Sequence, residues 1–228
     1  MHINGRLIEL LGYNINTDQM QKWCTDFYKD KTKEKLQQKY FDLLYSTCQK
    51  LNLIIPKKEN INFNPKDNWA SLTIYNELLK NEENKKLLPS DFFENFNVFS
   101  KKYCADTNGV WYIDKSNDYP TLLEASNAIK NSGGIVFCAH TYIYKWIDDM
   151  EKHILNMINT IGLQGIECFH SDFSLEEIDS CLKFAKKYNL YISGGSDYHG
   201  TNKKNINLKI GKGNLNIDKK YILNWAIN

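Results

Sequence analysis

The chain has 228 residues, 42% of them hydrophobic and 25% charged, with 29 Lys and Arg against 27 Asp and Glu for a formal net charge of +2. That composition is ordinary for a soluble globular protein, and the length suits one domain or one domain with an insert. Arg6 is the single arginine, so the guanidinium forks that read bases and phosphates are missing and a nucleic-acid partner is disfavoured.

The start, Met1-His-Ile-Asn-Gly-Arg6, has no apolar leader region, and no run of about 18 apolar residues could span a bilayer. Cys24, Cys48, Cys104, Cys138, Cys168 and Cys181 contain no CxxC pair and read as reduced thiols, which places the protein in the cytoplasm. Arg6-Leu-Ile-Glu-Leu-Leu-Gly-Tyr13 reads as a strand that begins almost at once and is ended by Gly12. Beginning on a core strand, the chain is expected to lack material upstream. From Thr17 to about Leu51, Trp23, Phe27, Leu36, Tyr40, Leu44 and Cys48 recur at helical spacing. The charge run Lys29–Lys35 within it is expected to be a solvated face. Asp67 is placed as the cap of a helix carrying Trp69, Leu72, Tyr75 and Leu78, and a further helix is expected from Ser90 with Phe92, Phe93, Phe96 and Phe99 in the core.

After Tyr119 the pattern changes. Thr121 and Glu124 have capping-box spacing behind Pro120, predicting a helix to Asn131 that Gly133-Gly134 close. A strand Ile135–His140 follows, then a helix over about 148–161, a strand Gly165–His170, and a second capping box at Ser174 and Glu177 opening a helix to Tyr188. A strand at Tyr191–Gly194 and a terminal helix capped by Asp218 complete the series. Helix–strand alternation of this kind predicts parallel βα units, whose ligands gather at the carboxyl ends of the strands.

His140, His170, Asp197 and His199 all fall at such ends. Asp197 and His199 are two apart, and in an extended backbone residues i and i+2 share a face, so both can converge on one divalent ion. The glycines around them, Gly194, Gly195 and Gly200, let the backbone turn and approach a ligand. The plainer reading is a structural Asp–His hydrogen bond. His140 repeats the design from the neighbouring strand. His170 could touch a metal, a substrate phosphate or its own loop. Glu167, three residues from His170, points away from that face by strand parity. Glu9 is an acid among Leu7, Ile8, Leu10 and Leu11, and a buried carboxylate needs a metal, a cation or hydrogen bonds. Arg6 and Lys145 are candidate phosphate holders. His153, one turn after Asp149, is expected to form an exposed ion pair.

Gly133-Gly-Ile-Val-Phe-Cys-Ala-His140, Gly165-Ile-Glu-Cys-Phe-His170-Ser and Gly194-Gly-Ser-Asp197-Tyr-His199-Gly together resemble the polymerase-and-histidinol-phosphatase (PHP) superfamily of metal-dependent phosphoesterases. Asn4–Tyr13 and Phe99–Asp114 are similar to further stretches of it. The resemblance implies an α/β fold, an incomplete, distorted (β/α)7 barrel formed by residues 1–16 and 109–228, with residues 17–108 as a helical insert. It implies His140, Asp197 and His199 as metal ligands, with Glu9 as a further one, and Asp197 and His199 at the catalytic centre. His170, Arg6 and Lys145 would bind substrate. The implied cofactor is a divalent ion, Zn, Mn, Mg or Fe, and the implied substrate a small phosphorylated, nucleotide-like molecule. The family's leading His-x-His, Asp-His and Glu motifs have no counterpart here, which implies a truncated active site with reduced metal occupancy. It also implies an exposed barrel edge open to a second copy or a complementing chain. A catalytically inactive remnant and half of a split enzyme are the alternatives.

Overall fold

The capping signals after Tyr119 fold into the sheet they predict. The protein is described by a computed structural model over residues 2–3, 6–200 and 205–226. Its elements run β1 (His2–Ile3), β2 (Arg6–Leu7), β3 (Leu10–Tyr13), α1 (Thr17–Tyr28), α2 (Lys33–Lys50), α3 (Ala70–Leu79), α4 (Asn84–Leu87) and α5 (Phe96–Val98). They continue as α6 (Leu122–Asn131), β4 (Ile135–Cys138), α7 (Met150–Ile161), β5 (Gly165–His170), α8 (Leu175–Lys187) and β6 (Tyr191–Gly195). Two compact units result: one comprises Leu7–Trp23 with Pro120–Asn228, the other His2–Arg6 with Cys24–Tyr119.

The first unit is a mixed α/β fold built on a four-stranded sheet of order β3-β4-β5-β6, consistent with a partial barrel. β4, β5 and β6 are parallel, as their helical crossovers require, and β3 runs antiparallel along β4. Both predicted capping boxes form: Thr121 and Glu124 exchange bonds at the start of α6, and Ser174 and Glu177 do so at the start of α8. Val136, Phe137, Cys138, Ile154, Met157, Ile166, Cys168 and Phe184 are buried in this unit's core. Near the C-terminus, Trp225 closes an aromatic cluster with Tyr13 and Phe137 at centroid distances of 4.8 and 4.9 Å, and its indole N–H donates to the Ile192 carbonyl at 2.9 Å.

Several local expectations are corrected. The strand expected over Arg6–Tyr13 is split into β2 and β3, and Gly12 lies inside β3 opposite Val136 instead of ending it. A Cβ on Gly12 would stand 3.0 Å from the Ile129 side chain, so this glycine allows close helix–strand approach. His153 forms no ion pair with Asp149. The Asp149 carboxylate instead caps α7 through the Lys152 N–H, and burial depresses the His153 pKa. The Asp218 side chain does cap a segment, a short 3-10 turn at Lys219–Tyr221.

The second unit packs Tyr40, Phe41, Leu44, Ile74, Tyr75, Leu78, Phe92, Phe99 and Trp111 into one core. Phe92 and Phe99 meet edge to face at 4.9 Å, the geometry the ring quadrupoles favour. The helix expected over 17–51 breaks in two, because Thr32 accepts from the Lys35 N–H and caps α2 inside the lysine run. The cap assigned to Asp67 is not formed; the first N–H of α3, on Ala70, donates to buried Gln37 at 2.8 Å. In place of one helix from Ser90 there is a 3-10 turn Ser90–Phe93, then α5, then a π-helical turn Phe99–Cys104. Phe92 and Phe99 are fully buried and Phe93 and Phe96 pack against that core, as expected of the aromatic stripe. All six cysteines are free thiols. Among the described residues no helix is long and apolar enough to cross a membrane.

Gly194 sits so close to β5 that an added Cβ would stand 2.5 Å from Phe169 Cβ and 2.9 Å from its carbonyl oxygen. Gly194→Ala should therefore destabilise by about 1–3 kcal/mol through overpacking, whereas Ser174→Ala, losing one cap, should cost about 1 kcal/mol. Denaturant midpoints of the two variants measure both; a neutral Gly194→Ala would contradict the packing described.

Candidate metal and phosphoester site

The carboxyl ends of three parallel strands, with the segment before β3, assemble a continuous string of acids and imidazoles. Glu9 precedes β3, His140 follows β4, Glu167 and His170 belong to β5, and Asp197 and His199 follow β6. His140 Nε2 lies 2.8 Å from Glu9 Oε2. The His140 and His170 rings are 5.8 Å apart, and His170 Nε2 is 3.5 Å from Asp197 Oδ2. Asp197 Oδ1 and His199 Nε2 then close at 2.7 Å. The structure thus brings together Glu9, His140, His170, Asp197 and His199.

Asp197 and His199 meet, but not through the extended backbone the i, i+2 argument assumed. β6 has ended at Gly195, and Asp197 has φ +52°. His140 has φ +26°. Left-handed backbone costs about 1–2 kcal/mol for an L residue, less for Asp and His than for most, and persists where the surroundings hold it.

Glu167 is what holds His140. Its carboxylate, on a residue only 6% exposed, accepts the His140 backbone N–H at 2.7 Å. The parity reading that turned Glu167 away is thereby corrected. The register of β5 on β6 slips between Glu167 and Phe169, leaving Cys168 as an extra, unpaired residue. A bulge of one residue restores parity, so Glu167 opposite Ser193 and His170 opposite Gly195 share a face. Sequence spacing alone cannot show a bulge; the acid in an otherwise apolar strand was the available signal. Tyr144 was also missed. Its buried hydroxyl accepts the Glu9 N–H at 2.9 Å.

The pKa shifts follow from this packing. The hydrogen bond from His140 holds Glu9 below the usual carboxylate range against a smaller desolvation effect. Burial pulls His140 down, yet the bond to Glu9 and the negative fields of Glu9, Glu167 and Asp197 win and raise it. Burial raises Glu167, partly offset by the His140 N–H. Burial lowers His170 despite Asp197. His170 Nδ1 accepts the Asp172 N–H at 3.1 Å, so the neutral ring carries its proton on Nε2. Among the described residues that Nε2 is buried with no hydrogen-bond partner, as is His140 Nδ1.

Three imidazoles and three carboxylates are a suitable donor set for a divalent cation of borderline to hard character. As they stand, the donors close on one another in His–carboxylate pairs. Among the described residues no three His, Cys, Asp or Glu side chains are arranged to hold an ion. The unsatisfied His140 Nδ1 and the exposed Glu9 and His199 side chains are where a cation would find ligands, while the His170 Nε2–H suits an anionic oxygen. Lys145 does not join the cluster: its ammonium pairs with Glu177 Oε1 at 2.6 Å. Arg6 stands in β2, in the other unit.

The fold is similar to those of two solved structures. It superposes on a structure from Bifidobacterium adolescentis named for a metal-dependent phosphoesterase with a TM-score of 0.57 at 18% identity, over 99% of this chain and 74% of that one. An amidohydrolase from Chromobacterium violaceum, solved with sulfate and no metal, superposes with a TM-score of 0.51 at 17% identity, over 85% of this chain and 63% of that one. In sequence, 87 residues are 34% identical to the phosphoribosyl 1,2-cyclic phosphate 1,2-diphosphodiesterase of Eggerthella lenta. The matched stretch spans 38% of this chain and 31% of that relative. No family model matches the chain. The sequence match and the folds agree with the resemblance to PHP-type phosphoesterases carried by the motifs, and the relatives' names are those of hydrolases.

Glu167→Ala should cost about 1–3 kcal/mol by stranding the His140 N–H in a buried, left-handed turn, and Glu167→Gln, whose amide oxygen still accepts, should recover most of it. Unfolding midpoints of the two variants decide this; equal losses would mean the acceptor is not what matters.

Proposed function

We propose that the chain is a metal-dependent phosphoesterase of the PHP type, acting on a small phosphorylated, nucleotide-like substrate. The observation that carries this reading is the clustering of Glu9, His140, His170, Asp197 and His199 at the strand ends. The agreement of motifs, matched relative and fold supports it. Under it, residues 1–16 and 109–228 belong to an incomplete, distorted (β/α)7 barrel and 17–108 to a helical insert. The six free thiols fit a cytoplasmic setting.

His140, Asp197 and His199, with Glu9, would hold the divalent ion, whether Zn, Mn, Mg or Fe. Such an ion polarises phosphoryl oxygens and supplies hydroxide at neutral pH. Glu167 fixes the His140 backbone, and Tyr144 fixes that of Glu9. His170 is neutral, with its Nε2–H directed into the cluster, and donates to a phosphoryl oxygen of the substrate. Arg6 and Lys145 are the further candidates for holding phosphate, Lys145 after exchanging Glu177 for it.

One observation favours a second reading. The donors pair off and no three converge, as expected of an impaired site that binds a phosphorylated ligand without cleaving it, or of one completed by a second copy or another polypeptide at an open sheet edge.

Purified protein should retain at least about one divalent ion per chain or two, and His199→Ala should lower phosphomonoesterase turnover at least roughly tenfold, about 1.4 kcal/mol of transition-state stabilisation. Elemental analysis and steady-state kinetics read both. Metal-free protein whose turnover is indifferent to His199→Ala would remove the enzyme reading; measurable binding of a phosphomonoester by the same protein would leave the second.

A further inference from the structure

The helical unit contains a second site whose chemistry the phosphoesterase reading does not use. A cavity of about 110 Å³ opens among Tyr40, Trp69, Trp111 and Tyr119. A buried water needs only about 10–15 Å³ by that measure, so this is more than a packing defect. One wall is the π-helical turn Phe99–Cys104, which contributes Ser100 and Cys104. Such turns are rare and concentrate at functional sites. Trp69 is 59% exposed instead of joining the aromatic core. It also borders a wider opening of about 570 Å³ that shares Gln37, Tyr40 and Tyr119 with the inner cavity.

Lys115 identifies the occupant. It lines the inner cavity, half-buried, with its ammonium 4.7 Å from the Tyr40 ring centroid. Among the described residues its ammonium has no hydrogen bond or ion pair. Asp118, the buried carboxylate nearby, is already taken by Lys39 at 2.8 and 3.0 Å and by the Tyr40 hydroxyl at 2.8 Å. Burial depresses the Lys115 pKa, outweighing the opposing field of nearby Asp118, the cost of withdrawing a cation from water. Lys29, Lys31 and Lys33 border the outer opening, and Lys33 Nζ stands 5.3 Å from the Trp69 ring centroid. The walls offer ring faces, the depth offers one unpaired cation, and the mouth is basic.

We propose that this cavity binds a planar aromatic small molecule bearing a carboxylate or phosphate, with its ring against Trp69, Trp111 and Tyr40 and its anion at Lys115. Aromatic faces stack a flat ring, and the ammonium supplies charge-assisted hydrogen bonds to the anion. The site lies wholly within Cys24–Tyr119 and does not depend on the phosphoesterase reading.

The test uses the full chain with benzoate, phenylphosphonate, benzyl alcohol and inorganic phosphate as probes, read by calorimetry and tryptophan fluorescence. At least one of the two aromatic anions should bind with a Kd below about 1 mM, roughly 4 kcal/mol, and perturb tryptophan emission. Which of the two binds more tightly tells carboxylate from phosphate. Benzyl alcohol and inorganic phosphate should each bind at least roughly tenfold more weakly, about 1.4 kcal/mol. Lys115→Met should weaken the anion by a similar factor, and His140→Ala should leave it unchanged. Trp69→Ala, at an exposed position, repeats the test should Lys115→Met fail to fold. Binding indifferent to both cavity variants, neutral ring binding as tight as the anion's, or no binding of either aromatic anion at about 10 mM overturns the proposal.

Discussion

A single hydrogen bond, from the His140 backbone N–H to the buried Glu167 carboxylate at 2.7 Å, organises the candidate site. It joins β5 to the turn after β4 and holds His140 in a backbone conformation that it would otherwise leave. The bulge at Cys168, one residue further along β5, then puts His170 on the same face as Glu167.

From that anchor the electrostatics propagate in one direction. Glu167 and Glu9 both bear on His140, one through its backbone and one through its ring, and they raise the ring's proton affinity against its burial. His170, with its Nδ1 engaged by the Asp172 N–H, stays neutral and presents a proton donor. Beyond it Asp197 lies between His170 and His199. The carboxylates bond an imidazole or a backbone N–H in a cluster that is buried at Glu167 and His170 and exposed at Glu9 and His199, which limits the cost of the buried charge. The two carboxylate–imidazole pairs, Glu9–His140 and Asp197–His199, are what a cation would reorganise.

The two units solve different packing problems. The sheet unit is regular and locally encoded, with capping boxes, short turns and parallel crossovers. The helical unit relies on aromatic bulk and on polar clips such as Asn84, which is fully buried and bonds both the N–H and the carbonyl of Ile54. Its Phe99–Cys104 turn departs from α geometry beside the cavity that holds Lys115. Function can therefore reside in both units: acid–imidazole chemistry in one, aromatic and cationic recognition in the other.

By itself the sequence determined the parallel βα series from Thr121 onward, because capping boxes and glycine stops act within a few residues of where they are written. It also placed His140, His170, Asp197 and His199 at strand ends, since that follows from where each apolar run stops. Tertiary structure decided the rest. Gly12 proved to be a contact with Ile129, and Asp67 gave way to Gln37 as the cap of α3. His170 came onto the face of Glu167 through a bulge defined only by the partner strand. Each of these depends on an atom distant in the chain, and a local pattern carries no information about which distant atom will arrive.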